Sequence, residues 1–153
     1  MDTLSAEDLG EKASQLHLKG YNCAQAVLFT LYEHINPEGK NDIIPKVATG
    51  LGGGIGRCGS ICGALTGAVL AVGLKYGANE ISQDAKTLSY EKAQKLYRRF
   101  EAEHGNVNCR CLIKHDLSTP EGFAKAKAEK AFELVCSNFI KSAVVEFLLL
   151  DSP

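Results

Sequence analysis

The stretch Gly50-Leu51-Gly52-Gly53-Gly54-Ile55-Gly56-Arg57-Cys58-Gly59-Ser60-Ile61-Cys62-Gly63-Ala64-Leu65-Thr66-Gly67 decides the fold. It contains Gly54-Ile55-Gly56-Arg57-Cys58-Gly59, a formal GxGxxG, which in a dinucleotide-binding unit follows a strand inside a βαβ context. Here Val47-Ala48-Thr49 is too short for that strand, and Ile43 to Thr49 reads as a short helix with Pro45 tolerated in its first turn. No Gly-Lys-Ser/Thr follows, so the stretch is not a phosphate-binding P-loop either. Its second half opens an apolar helix from about Ile61 to Tyr76, which Gly77 ends. The small residues Gly63, Ala64, Gly67, Ala68 and Ala71 recur three and four apart. They leave a smooth stripe on which another backbone packs closely. A tight glycine turn feeding a small-faced apolar helix belongs to a helical bundle.

Outward from there, the periodicity stays helical. Leu4, Leu9, Ala13 and Leu16 space a first helix from Leu4 to Lys19, stopped at Gly20. Asn22 caps a second helix whose first residue is Cys23, with Ala24, Val27, Leu28 and Leu31 inward. Asn36-Pro37-Glu38-Gly39 is a turn. Ala85, Leu88, Ala93, Leu96 and Phe100 line an amphipathic helix from Asp84 to His104, terminated by Gly105. Asn106 to Leu112 reads as a connecting loop that carries Cys109 and Cys111. Thr119 before Pro120 starts a helix expected to reach roughly Val135. Cys136-Ser137-Asn138 offers another start, and a final helix covers Phe139 to Leu150. No strand pair, repeat or low-complexity tract is visible. The expectation is an all-α fold: one compact domain over residues 1–153, a bundle of five to seven helices.

Composition bounds the function. The 153 residues are 45% hydrophobic and 23% charged, with a formal net charge of -1. That size buries a real core without disulfide staples. The balanced charge gives no general attraction to nucleic acid or anionic lipid. With no Trp and 7% aromatic residues, base-stacking platforms are not expected. Met1 to Gly10 carries acidic residues and lacks the apolar region of a secretory leader. The uncharged run between Arg57 and Lys75 contains Gly59, Gly63, Gly67 and Gly73 and suits a buried helix better than a membrane span. The expected location is therefore the cytoplasm, where thiols stay reduced. Six cysteines in that compartment point to metal binding, catalysis or redox sensing before structural disulfides.

The cysteines are Cys23, Cys58, Cys62, Cys109, Cys111 and Cys136. No CxxC or CxxCH occurs, so neither a thioredoxin-like pair nor covalent haem attachment is indicated. Any single cysteine could be a small buried hydrophobe. Position argues otherwise: Cys23, Cys62 and Cys136 fall at helix starts and Cys109 lies between helices. Unpaired amides and the positive helix end there favour the thiolate, which is both nucleophile and metal ligand. The glycines ahead of Cys62, with Gly53, Gly54 and Gly56 at their centre, can bring backbone amides close to sulfur. Arg57 adds positive charge there, unless it is spent in a surface salt bridge. His115, near Cys109 and Cys111, makes a Cys/His zinc site conceivable, against the plainer reading of an exposed histidine. Lys125, Lys127 and Lys130 read as a solvated helix face. The apolar Phe147-Leu148-Leu149-Leu150 end and the small-residue stripe make a homodimer an option.

These residues resemble the redox-active family named for its motif C-GCAxxG-C-C, with four recurring cysteines. Gly20-Tyr21-Asn22-Cys23-Ala24-Gln25-Ala26 is similar to its first cysteine segment. Gly52 to Arg57 followed by Cys62-Gly63-Ala64-Leu65-Thr66-Gly67 resembles its central motif, although the family name spells Gly-Cys-Ala where this chain reads Cys62-Gly63-Ala64. Asn108-Cys109-Arg110 with Leu112, and Cys136, resemble the third and fourth segments. The resemblance implies a shared site of Cys23, Cys62, Cys109 and Cys136, with Cys58 and Cys111 as extras. A related domain in split-Soret cytochromes implies a bound iron–sulfur cluster, without their haem.

The first expectation is then a [2Fe–2S] electron-transfer or redox-sensing site on those four cysteines, with Gly53, Gly54, Gly56 and Arg57 as its surroundings. The second is a thiol–disulfide oxidoreductase or sensor in which Cys62 attacks and Cys23, Cys58 or another cysteine resolves. The third is a structural zinc or plain helical interaction module. The expected partner is a redox protein or a small-molecule oxidant or reductant, with no nucleic acid or membrane involved.

Overall fold

The computed structural model describes residues 3–153; Met1 and Asp2, part of the stretch scanned for a leader, lie outside the described residues. The chain is all-α. Among the described residues nine helices run in the order α1 (Ala6–Leu18), α2 (Cys23–Ile35), α3 (Ile43–Val47), α4 (Gly63–Tyr76), α5 (Gln83–His104), α6 (Cys109–Ile113), α7 (Pro120–Ala128), α8 (Ala131–Leu134) and α9 (Cys136–Leu148), with a 3-10 turn at Thr49–Leu51. Three of them (α3, α6 and α8) have only four or five residues, so the bundle proper is made by the other six.

Local chemistry explains the starts and stops. Ser5 and Asp8 form a capping box on α1, and Asn22 and Gln25 form another on α2. Thr119 caps α7 with Pro120 in its first turn. Gly105 ends α5 in the left-handed conformation at φ 79°. The small-residue helix α4 is the centre of the bundle and packs on α2, α5 and α9, while α1 lies against α9 and α2. Ala64, Leu65, Ala68, Ala71 and Val72 are its buried side chains. At Gly67 the backbone of α2 comes so close that a Cβ would sit 2.6 Å from the Ala24 carbonyl oxygen. Phe100, Phe147, Leu28, Leu31, Leu96 and Ile140 fill the main core around it.

Two segments differ from expectation. Asn106 to Leu112 is not simply a loop: Asn106 Oδ1 accepts the amides of Val107 at 2.9 Å and Asn108 at 2.8 Å, and that turn launches the short helix α6. The helix expected from Thr119 to Val135 breaks at Lys130, which adopts a left-handed φ of 55°. The break separates α7 from α8 and drops Ala131 into a second, smaller core with Cys109, Ile113, Leu117 and Ala126, flanked by Phe123, Phe132 and Cys136. Among the described residues no helix is long and apolar enough to cross a membrane.

Candidate functional site

A cavity of about 490 Å³ lies on the seam between the two cores. Cys23, Cys62, Cys109 and Cys136 all line it. Each arrives by a different route. Cys23 is the first residue of α2 and Cys62 the residue capping α4. Cys109 opens α6 and Cys136 opens α9. Cys62 and Cys109 are brought alongside by a short antiparallel contact centred on Ile61 and Asn108. There the Cys62 amide donates to the Val107 carbonyl at 2.8 Å and the Cys109 amide to the Ser60 carbonyl at 2.7 Å. Sequence reasoning found no strand pair, and this single bridge is too short to have left a periodic signal.

The other two cysteines stay outside. Cys58 and Cys111 are exposed and do not line the cavity, and all six thiols are free. Cys111 follows Cys109 by two residues on α6, a rotation of about 200° that carries it to the opposite face. Cys58, one of the candidate resolving partners of Cys62, is not on its helix: α4 starts only at Gly63 and the chain before it is a series of turns. His115 joins no cysteine: its Nε2 lies 2.9 Å from Glu129 Oε2, with the side chain only 10% exposed. The better sequence reading, an exposed histidine, also fails there. Lys125, Lys127 and Lys130 do face solvent.

The glycine loop has an uncommon shape. Gly53, Gly54, Ile55, Gly56 and Arg57 have φ of 69°, 70°, 66°, 54° and 68°, a continuous left-handed turn. For L-residues this hand costs roughly 1–2 kcal/mol each, and it is visited as single residues rather than runs. Three of the five are glycine, which adopts it freely; Ile55 and Arg57 do not. The turn closes on itself: Ile55, Arg57, Gly59 and Ser60 donate their amides to the carbonyls of Leu51, Gly52, Gly53 and Gly54. The expected fan of amides around sulfur is therefore mostly consumed within the loop. Gly53, Gly56 and Arg57 reach the cavity wall. Gly54 does not; it sits behind the wall, where a Cβ would be 2.8 Å from the Cβ of Cys109. Its absence of a side chain is what lets Cys109 approach.

Arg57 makes no ion pair among the described residues. Its guanidinium instead lies over the Phe123 ring, 4.0 Å from the centroid. Two further lining groups escaped the sequence reading. His17, at the end of α1, places Nδ1 3.0 Å from the Tyr21 carbonyl and Nε2 3.2 Å from the Phe132 carbonyl, tying α1 to α8. Phe132 itself faces the cavity because α8 turns away from α7. Neither a lone histidine nor a lysine in the left-handed region carries a sequence signal.

Electrostatics at the thiols run against simple helix-dipole reasoning. Burial pushes the pKa of Cys62 and Cys136 well up, and neighbouring thiols add to it: Cys23 and Cys109 at both, with Cys62 and Glu133 also acting on Cys136. Burial likewise raises Cys109 to about 11, with Cys23 adding to the rise. Cys23 is raised by burial too, although the amides of Gly53, Ala24 and Gly63 act against it. Desolvation outweighs the helix starts because each thiol faces the seam rather than water. These are neutral thiols while free, not standing nucleophiles. Gly63 also proves to be more than a packing residue: the Cβ it lacks would fall on Cys23 Sγ.

Among the described residues no group of three or more His, Cys, Asp or Glu side chains converges on a single ion position. No curated protein and no solved structure matches the chain. One family model does, over residues 21–147, a span that holds all four cavity cysteines and ends one residue short of the α9 C-terminus; its description is "Putative redox-active protein (C_GCAxxG_C_C)". The chain belongs to that redox-active family.

Proposed function

We propose that Cys23, Cys62, Cys109 and Cys136 hold a [2Fe–2S] cluster and that the protein transfers or senses single electrons. The observation that carries this reading is the convergence of four cysteines, from four separate helix starts, on one cavity that excludes the other two thiols. A single zinc would need its sulfurs about 2.3 Å from one point, and the arrangement does not gather three ligands that way. A two-iron cluster shares four cysteines between its metals, two to each iron, so it does not ask for three ligands around one point. When bound, it supplies one-electron chemistry between two iron oxidation states. The chain's own residues supply the rest. Burial raises the pKa of all four thiols, so metal binding would release protons and gain strength with pH. The amides near Cys23 and those of Ala64 and Leu65 near Cys62 donate toward sulfur, which raises a cluster's potential. Phe132, Phe139 and Leu117 give the cavity an apolar lining beside the sulfurs. The electron partner is a redox protein or a small molecule.

Anaerobic purification with visible absorbance, iron and sulfide quantitation tests this. The expected result is a coloured protein with close to two irons per chain. Replacing any one of Cys23, Cys62, Cys109 or Cys136 by Ser should remove most of the iron, and Cys58→Ser or Cys111→Ser should not. A colourless, iron-free protein after reconstitution refutes the cluster. If Cys62 then forms a reductant-sensitive disulfide with Cys23, the thiol–disulfide reading replaces it.

A further inference from the structure

The cavity is larger than its sulfurs explain. Beside the four thiols its wall carries aromatic rings: Phe123 and Phe132 from the second core, and Phe139, which packs on the main core. Phe123, Phe132 and Phe139 come from α7, α8 and α9. Its volume of about 490 Å³ falls in the range of small-molecule pockets. Among the described residues the one Lys or Arg side chain that lines it is Arg57.

Arg57 is exposed as well as lining the cavity, and three features suit it to recognising a ligand. It has no carboxylate partner among the described residues, so its donors are available. Its guanidinium carbon lies 4.0 Å from the Phe123 ring centroid, a cation–π contact that holds the side chain against the ring without using its N–H donors on a carboxylate. Its backbone is held at φ 68° in the left-handed turn, a strained conformation of the sort found at ligand clamps. A planar guanidinium with open edge donors, set beside aromatic rings, suits a carboxylate or a sulfonate on a flat apolar body.

We propose that the cavity binds a planar organic anion, its ring against Phe132 and Phe139 and its acidic group on Arg57, next to the four sulfurs. This adds a small-molecule seat to the redox site and stands whether the sulfurs hold iron or remain thiols. The ligand would be in place to exchange electrons with that site, but the inference concerns binding.

The probes are 2-naphthoate and its uncharged analogue 2-naphthylmethanol. Binding is measured by calorimetry on the anaerobically purified protein, with iron content recorded for the same sample. Wild type should prefer the anion by about tenfold or more. Arg57→Gln keeps a side chain of similar reach in the same strained turn; it should weaken 2-naphthoate by about tenfold and change 2-naphthylmethanol less than about twofold, a difference of one charge-assisted contact. Arg57→Lys, which keeps charge without the planar fork, should fall between. Far-UV spectra of each variant confirm that the fold is intact. Equal affinity for both probes, no effect of Arg57→Gln, or no binding of either probe overturns the proposal. An iron-loaded protein that binds neither probe overturns this inference and leaves the cluster standing; an iron-free protein that binds the anion through Arg57 does the reverse.

Discussion

Three glycines of α4 should respond to the same substitution in opposite ways. Gly73 is exposed and a Cβ there meets nothing within 4 Å, so Gly73→Ala exchanges a flexible helix-interior residue for the best helix former. The gain should be about 0.5–1 kcal/mol. At Gly67 the new Cβ would lie 2.6 Å from the Ala24 carbonyl oxygen and 3.0 Å from the Ala24 Cα. Those are backbone atoms of α2, so relief requires α2 to back away from α4. Overpacking of this kind costs about 3 kcal/mol at the upper end of its usual range. Against roughly 1 kcal/mol of propensity gain, the net loss for Gly67→Ala is about 2 kcal/mol. Gly63→Ala is intermediate, because its Cβ meets the Cys23 thiol, which can rotate, and the Leu51 carbonyl at 3.1 Å. Its damage should fall on the site, with iron lost before stability. Urea unfolding gives the midpoints. At this chain length each kcal/mol moves Tm by about 2–4 °C, so Gly73→Ala should melt a few degrees higher and Gly67→Ala roughly 4–8 °C lower, at unchanged m-value. Equal effects at Gly67 and Gly73 would refute the claim that the small-residue stripe exists for close approach.

The left-handed turn predicts that Ile55→Gly raises stability by about 0.5–1 kcal/mol, strain relief less the added chain entropy. Ile55 is 47% exposed, so little burial is lost, and Ile55→Ala, which keeps the positive φ, should give no such gain in Tm. Burial pushes the pKa of His104 below its ordinary 6.5, with Glu103 and Glu146 opposing the shift. The unfolded chain then binds more protons than the folded one below about that pH. Stability conferred by the neutral ring should therefore be present above pH 6.5 and fall as pH drops toward the depressed folded value, then level off. His104→Gln should flatten urea midpoints across pH 5 to 7; an unchanged slope would show that other groups set it. The Ser142 hydroxyl, which lies 2.8 Å from His104 Nε2 and donates to Glu103 at 2.7 Å, couples the ring to α9.

Much of the fold was legible because its signals are local. Asn22 with Gln25, Thr119 with Pro120, and Gly105 each announce a helix end through side-chain or backbone chemistry confined to a few residues. The apolar spacing of α2 and α5 did the rest. What stayed hidden depends on distant partners. Lys130 adopts a left-handed φ because Ala131 and Phe132 have a second core to enter, and no residue near Lys130 says so. The membership of Cys23, Cys62, Cys109 and Cys136 in one set came from resemblance to a family; the cavity they line follows from helix packing that spacing alone does not encode. The same holds for their protonation: helix starts pointed toward thiolates, and burial at the seam reversed the sign. Arg57 was noticed for its charge, but its stacking partner, Phe123, lies on α7 and becomes visible only in three dimensions.

The left-handed turn also bears on the order in which the molecule can assemble. Helices such as α1, α2 and α5 have their own capping and propensity, and can begin to form as soon as their residues are available. The segment from Gly53 to Arg57 has no such head start, since its hand is unfavourable in the free chain for Ile55 and Arg57. Besides its own hydrogen bonds it is backed from outside, with Gly52 against Asn22, Gly54 against Cys109 and Gly59 against Arg110. Those supports exist only after α2 and α6 have docked. The sulfur cavity is thus expected to be among the last regions to set, so that a chain with its full helical content can still lack a finished site. Far-UV spectra and urea midpoints would report such material as native; thiol accessibility at Cys23 and Cys62 would tell it from the completed protein.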